Sequence, residues 1–343
     1  MSFAARLVAA WYAPRLTPLT AMLAPLSAVF VCAAALRRVL YRWGLLHVER
    51  LPVPVIVVGN ITVGGSGKTP LVSALASALA ARGWRPAIVS RGYGRTDDGG
   101  EGRVPLLVRP DADPAQAGDE PVLLARRGFP VAVARDRVAA ARALLAAHPE
   151  CNVILADDGL QHYRLAREVE IAVVDAARGL GNGWRLPAGP LREAPTRLDT
   201  VDAVVALVSE TAGRSMAFPD ASPMTLVGEI FHRVDAQDAT AAAAAFGGAG
   251  VHAVAGIGNP ERFFAQLHAL GIAAIGHPFP DHHRFVAADL VFPEVTAILM
   301  TEKDAVKCAA FADERSWYLP VRARIDPALV ARVEEKLRGS QAA

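Results

Sequence analysis

The feature that most restricts what this chain can fold into is the glycine-rich turn Thr62-Val63-Gly64-Gly65-Ser66-Gly67-Lys68-Thr69, set between an apolar run and a helical stretch. Ahead of it, Val55-Ile56-Val57-Val58-Gly59 is continuously apolar and largely β-branched, the pattern of a strand buried on both faces. Behind it, Pro70 to Arg82 has helical composition and ends at Gly83, a residue suited to the position just past a helix. In a strand, loop and helix so ordered, successive backbone N–H groups can turn inward around phosphate oxygens, and the helix N-terminus adds its partial positive charge. Lys68 is placed to reach the β- and γ-phosphates of a nucleotide, and the Thr69 hydroxyl to ligate Mg²⁺. ATP and Mg²⁺ are thus the expected cofactors, held by Thr62 to Thr69.

A phosphate loop needs a second metal anchor, an acid at the tip of a buried strand. Val153-Ile154-Leu155-Ala156-Asp157-Asp158 has that form. Asp157 is the first choice for the Mg²⁺ shell or its water, with Asp158 adjacent, and which of the two touches the ion stays open. The runs Ala87 to Ser90, Val131 to Val133 and Ile171 to Val174 add further short strands, and Arg137 to Ala147 reads as an intervening helix. Such alternation implies an α/β fold of the P-loop NTPase kind, a mainly parallel sheet with helices on both faces. Prolines at 219 and 223 break the pattern. The expected divisions are an N-terminal segment (1–48), a P-loop domain (49–220) and a smaller C-terminal α/β domain (221–343). In the last, Val251 to Ile257, Ala273 to Ile275 and Ala297 to Met300 read as strands, Pro260 to Leu270 as a helix, and the alanine tract 239–245 as helix.

Composition narrows the function. With 52% hydrophobic and 20% charged residues the chain is too apolar for disorder. A net charge of +2, from 36 basic and 34 acidic side chains, supplies no polycationic field for nucleic acid. Cys32, Cys151 and Cys308 form no CxxC pair, so neither a zinc knuckle nor a disulfide framework is expected. From Leu16 to Leu36 there is no charge, enough as one helix to cross a hydrocarbon core of roughly 30 Å. Trp11 and Tyr12 precede the run, Tyr41 and Trp43 follow it, and Arg37, Arg38 and Arg42 crowd its C-terminal side, which places the bulk of the chain in the cytoplasm. Pro18, Pro25, Arg6 and Arg15 leave open a helix lying in the interface instead.

Seven segments in order, GGSGKT (Gly64 to Thr69), SRGYGR (Ser90 to Arg95), GDEP (Gly118 to Pro121), DDGLQH (Asp157 to His162), GNGWRLPAGPLRE (Gly181 to Glu193), PDHHRF (Pro280 to Phe285) and TEKDAVK (Thr301 to Lys307), closely resemble the tetraacyldisaccharide 4'-kinase family. Thr62 stands where the usual phosphate-loop pattern has its first glycine, and the loop is similar to a subclass with two adjacent glycines. The resemblance implies a kinase that uses ATP and Mg²⁺ to phosphorylate the 4'-hydroxyl of an acylated disaccharide 1-phosphate, a lipid A precursor. It also implies work at the cytoplasmic face of the bacterial inner membrane, with no obligate protein partner. A sugar hydroxyl needs a group to take its proton. The resemblance offers Asp119 as that base, His282 to hold or polarise it and Asp281 to orient His282, alongside Lys68 at the phosphates. For the substrate it offers Arg91, Tyr93, Arg95, Gln161, His162, Arg192 and Glu193, with Arg185 in the same polar segment. Thr301 to Asp304, after the apolar run Ala297 to Met300, is placed to meet the nucleotide base or ribose. Simpler roles compete: Asp119 as a helix cap, and Thr301 to Asp304 as a capped helix start. The alternative function is a P-loop switch or metallocentre-insertion ATPase or GTPase, for which Thr301-Glu302-Lys303-Asp304 is an imperfect echo of the guanine-reading NKxD.

Overall fold

The structure, a computed structural model, describes residues 3–92, 104–209 and 217–341. Among these the strands form two sheets. The chain first lays down β1 (Val55–Gly59), β2 (Pro86–Ser90), β3 (Leu106–Val108), β4 (Val131–Val133), β5 (Val153–Asp157), β6 (Val169–Asp175), β7 (Ala203–Leu207) and β8 (Ser222–Val227). It then makes a second sheet from β9 (Ile230–Arg233), β10 (Thr240–Ala242), β11 (Val251–Ala255), β12 (Ile275–Pro278), β13 (Ala297–Thr301) and β14 (Ser316–Leu319), before β15 (Arg322–Ile325) rejoins the first. The helices are α1 (Phe3–Trp11), α2 (Pro18–Met22), α3 (Ala24–Arg42), α4 (Lys68–Ala80), α5 (Pro114–Ala117), α6 (Asp119–Arg126), α7 (Arg137–Ala147), α8 (Pro260–Ala269), α9 (Glu302–Cys308) and α10 (Pro327–Gln341).

The first sheet has the order β15-β8-β7-β6-β1-β5-β2-β4-β3. Its pairings are parallel from β8 to β4 and antiparallel at both edges, β15 with β8 and β3 with β4. Every residue of β1, β2 and β5 is buried, as continuous apolar runs require when both faces are covered. The period of two then sorts side chains between layers. Ile56 and Val58 pack with Leu71, Leu75 and Leu79 of α4 and with Leu329, Val333 and Leu337 of α10. Val55 and Val57 pack with Val138, Ala141 and Leu144 of α7 on the other face. Cutting a fully buried side chain such as Leu75 back to alanine costs about 2–5 kcal/mol in such a setting. The mainly parallel, doubly covered sheet expected of the first unit is thus present.

The second sheet, ordered β10-β9-β14-β13-β11-β12, is parallel from β14 to β12. Phe231, Phe246, Phe263 and Leu267 fill one of its faces. The division expected at residue 220 differs from this topology. β8 pairs with β7 through Val205↔Ser222, and β15 with α10 returns to the first sheet, so the smaller unit is an insertion between β8 and β15. Its two connections touch: a Cβ on Gly228 would lie 2.5 Å from the Pro320 carbonyl oxygen. The alanine tract is not helical either. Thr240–Ala242 pairs with β9 and a short 3-10 turn follows at Ala243–Phe246, because an open strand edge outweighs the helix preference of alanine.

At the N-terminus the uncharged run is not one helix. Pro18 opens α2 and Pro25 lies in the first turn of α3, positions at which proline's missing N–H leaves no bond unmade. The helix long and apolar enough to cross a membrane, by length and composition, is therefore Ala24–Arg42, which carries Arg37, Arg38 and Arg42 at its end. Leu26, Val29 and Leu36 on it are exposed.

Candidate active site

The carboxyl ends of β1 and β5 open into a cleft of about 1470 Å³. Val63 to Thr69 line it. Gly64 and Gly67 have φ of 103° and 85°, and a Cβ at Gly67 would press on Leu207 and Met224 at 3.0 Å, so only glycine fits there. Thr62 sits behind the wall rather than on it. It is buried, pairs through its backbone with Leu191 and lacks a positive φ, which is why a side chain is accepted where other loops carry glycine.

α4 starts at Lys68 and β5 ends at Asp157, which brings the Thr69 hydroxyl to donate to Asp157 Oδ2 at 3.0 Å. Asp157 is 1% exposed, and among the described residues its Oδ1 has no hydrogen-bond partner. Burial, reinforced by the nearby Glu120 charge, pushes its carboxyl up to about 7. An orphaned carboxylate oxygen beside a hydroxyl is a hard oxygen pair that suits Mg²⁺. Asp158 is otherwise engaged: at φ 50° it turns away from β5 and receives Arg192 Nη1 on both oxygens, at 2.9 and 3.0 Å, with Lys68 Nζ at 3.7 Å. Burial works against its ionisation, but Lys68 and Arg192 hold it below the ordinary carboxylate range.

A second cluster forms where the two units meet. Gly118, at φ 93°, starts α6 and puts Asp119 in its first turn; the loop after β12 brings His282, whose Nδ1 stands 3.2 Å from Asp119 Oδ2. His282 has φ 59°, fixed by its own N–H bonding the Gly256 carbonyl at the end of β11. α9 contributes Lys303, 3.3 Å from Asp281, 3.1 Å from Glu120 and 3.9 Å from Asp119, and Lys307, also 3.9 Å from Asp119. Burial alone would raise the Asp119 carboxyl, but the His282 hydrogen bond and the two ammonium groups bring it to about 2. Asp119 is therefore an ionised acceptor, and His282 Nδ1 must carry the proton between them. His282 and Asp281 line the cleft and Asp119 lies behind them, 5% exposed. Asp281 Oδ1 is 3.8 Å from His282 Nε2.

Of the residues expected to meet substrate, Arg91, Gln161, Arg192 and Glu193 are on the cleft wall, with Arg185. Gln161 and Tyr163 both donate to Glu193, at 2.7 Å each, which fixes that carboxylate in place. His162 is not on the wall. Its ring lies 3.7 Å from Asp136, and burial together with Arg137 lowers it to about 4. Tyr93 and Arg95 lie outside the described residues. Thr301 caps α9 by accepting from the Asp304 N–H, as the simpler reading of that segment expects. Asp304 is fully buried; its Oδ2 accepts from the Gly256 N–H at 3.0 Å, and its Oδ1 pairs with Lys307 at 2.6 Å.

Sequence reasoning missed several wall residues. Glu120 lies inside the GDEP motif and could have been found there, and Thr301 to Lys303, expected near the nucleotide, are on the wall. Arg37, Arg38 and Arg42, read only as membrane-flanking charges, face the same cleft as the phosphate loop. Arg127 carried no signal. It joins three elements, donating to Ser73 of α4 at 2.9 Å, Glu302 at the start of α9 at 2.6 Å and the Val321 carbonyl at 3.0 Å. Arg262 of α8 pairs with Asp175 at the end of β6, a second tie between the units.

Comparison with known proteins bears on what this cleft is. The profile of a family described as LpxK, tetraacyldisaccharide-1-P 4'-kinase, matches residues 19–338. A tetraacyldisaccharide 4'-kinase of Azoarcus sp. strain BH72 is 56% identical over 322 residues, covering 94% of this chain and 93% of that one. Another from Dechloromonas aromatica strain RCB is 52% identical over 334 residues, with 96% of each chain covered. A crystal structure of the "apo" form of LpxK from Aquifex aeolicus in complex with ATP superposes with a TM-score of 0.76 at 28% identity, over 93% of this chain and 99% of that one. Likeness that spans both sheets and the helices ahead of them settles the affiliation: the chain belongs to the tetraacyldisaccharide-1-P 4'-kinase family.

Proposed function

We propose that this protein transfers the γ-phosphoryl group of ATP to the 4'-hydroxyl of a tetraacylated glucosamine disaccharide 1-phosphate. The observation that carries the reading is His282 on the wall of the cleft that the phosphate loop also lines, with ionised Asp119 behind it at 3.2 Å. The Gly64–Thr69 backbone and Lys68 hold the phosphates. Thr69 and Asp157 are the residues that would hold Mg²⁺, whose charge, when bound, offsets that developing on the phosphate oxygens. Asp158 positions Lys68 and Arg192 instead of touching the ion.

The geometry favours reversing the roles that the resemblance implies. With Nδ1 donating to Asp119, the Nε2 lone pair of His282 is the acceptor for the sugar hydroxyl proton. Asp119 fixes the tautomer and stabilises the imidazolium that forms, and Asp281 with Lys303 borders the ring. Glu193, held by Gln161 and Tyr163, and the arginines 91, 185 and 192 suit the sugar and its phosphate.

The protein works at the cytoplasmic face of the bacterial inner membrane, where ATP is available. The exposed Leu26, Val29 and Leu36 meet lipid while the arginines of α3 face the cleft. The uncharged part of α3, from Ala24 to Leu36, is about 20 Å long as a helix, short of a core of roughly 30 Å. A helix seated in the interface fits this better than one that spans. Guanine recognition by the TEKD segment is disfavoured, since the Asp304 carboxylate is consumed by Gly256 and Lys307.

The test is incubation with ATP labelled at the γ position, Mg²⁺ and an acylated disaccharide phosphate, beside a control without acceptor. Label on the disaccharide is the expected result. Label found only as inorganic phosphate would favour a switch ATPase.

A further inference from the structure

The segment 178–193 lies between the N-terminal helices and the phosphate loop and is bonded to both. On the N-terminal side, Trp11 Nε1 donates to the Pro187 carbonyl at 2.8 Å and the Asn182 N–H donates to the Trp11 carbonyl at 2.8 Å. Gly181, at φ 60°, leaves no room for a Cβ, which would fall 2.7 Å from that same Trp11 oxygen. Ser27 of α3 donates to the Arg185 carbonyl at 3.0 Å. On the other side the Val63 N–H bonds Pro190 at 2.9 Å and the Arg192 N–H bonds Ile61 at 2.7 Å, which clamps the start of the phosphate loop.

A second, shorter link runs through one side chain. The guanidinium of Arg178 stands over the Tyr12 ring at 5.0 Å, and its Nη1 faces Gly64, 3.6 Å from where a Cβ there would be. Arg178 is not on the cleft wall, so it reaches a bound nucleotide only through the loop it supports. Gly64 is one of the residues whose left-handed backbone shapes the cradle.

We propose that Tyr12 and Arg178 are positioning residues for the nucleotide: seating of the N-terminal helices on segment 178–193 holds Gly64 in its binding conformation. The end of the chain that meets lipid thereby sets the affinity for ATP. Tyr12 holds the guanidinium by a cation–π contact and a hydrogen bond to its hydroxyl, the guanidinium borders Gly64, and the Trp11–Pro187 and Pro190–Val63 bonds carry the same displacement in parallel. The proposal rests on the reading that this loop binds ATP.

The measurement is binding of a fluorescent ATP analogue with Mg²⁺ to the full chain in detergent, together with KM for the acylated acceptor and co-sedimentation with anionic phospholipid vesicles. Tyr12→Ala and Arg178→Ala are each expected to raise the nucleotide Kd about fivefold, at the low end of usual coupling between sites. Acceptor KM and co-sedimentation should stay within about twofold, which a variant that had merely lost its fold or its membrane grip would not show. Tyr12→Phe, which keeps the ring and loses the hydroxyl's bond to Arg178, should give a Kd between those of the parent and Tyr12→Ala. A parental Kd for Tyr12→Ala, or a rise that tracks loss of vesicle binding, overturns the proposal. Lys68→Ala is the separate control: parental nucleotide affinity there would instead overturn the reading of the loop.

Discussion

Thr69, in the helix that follows β1, meets Asp157 at the tip of the neighbouring β5, whereas Asp119 and His282 meet across two units joined through the touching connections at Gly228 and Pro320. The first pair is set by the core. β1 and β5 are buried along their whole length, and α4 leaves directly from the loop, so the cradle keeps its shape wherever the second unit stands. The second pair exists only while the inserted unit is docked. What holds it there is Val306 of α9, buried in the first unit's core, with polar ties from Arg127 to Glu302, Arg262 to Asp175 and Lys303 to Glu120, and the backbone of Gly258 against Gly65. Phosphate binding and proton acceptance should accordingly respond differently to the same kinds of change.

The largest effect is expected from Lys68→Ala, which removes the charge at the phosphates. Turnover should fall on the order of 10³-fold or more, measured with saturating acceptor. His282→Ala should lower kcat by about 10²-fold and leave the Kd of Mg·ATP near the parental value, since the cradle does not depend on it. A change on the contact itself sharpens the comparison. A Cβ on Gly258 would lie 2.5 Å from the Gly65 nitrogen, so Gly258→Ala must push the inserted unit off the loop. A drop in kcat of about tenfold, with the dyad misplaced, is the expected outcome in steady-state assays.

Acidity tests the cradle when nucleotide binding, not turnover, is measured. Asp157 is raised, so below about 7 its carboxylate carries a proton that a metal ion must displace, and above that it is ready to bind. Affinity for Mg·ATP should weaken as pH falls below that value, by up to about tenfold per unit, with proton release on binding. Titration calorimetry in buffers of different ionisation enthalpy reads both. Asp119, held at about 2, adds no step of its own over that range. The smallest effect is expected from Arg127→Met, which cuts one tie of several: a loss of about threefold in kcat, with ATP affinity unchanged.

The two regions also differed in how far the sequence disclosed them. β1, β4 and the end of β5 were legible because buried parallel strands read as continuous apolar runs, and the phosphate loop because its chemistry needs contiguous residues. β8 and β15 were not. Ser222-Pro223 looks like an interruption, and only a partner strand nearly a hundred residues downstream, Arg322 to Ile325, completes that edge. The resemblance named Asp119 and His282, but their order on the wall follows from burial, and the charge state of Asp119 from the His282 hydrogen bond and two lysines of α9. Gln161 and His162, adjacent in one motif, part company because the turn after Asp158 sends one ring into the packing beside Asp136 and leaves the amide at the cleft. Prolines 18 and 25 signalled that the apolar run is interrupted, but not that the arginines beyond it face the phosphate loop.

The most direct test is a double-mutant cycle on kcat with Asp119→Asn, His282→Ala and the two combined, run with labelled ATP and the acylated disaccharide phosphate. If the docked units make one proton-accepting pair, the double variant should be about as slow as His282→Ala alone, because removing the second member of a unit costs nothing further. Losses that multiply across the two sites would contradict that and leave Asp119 and His282 acting separately.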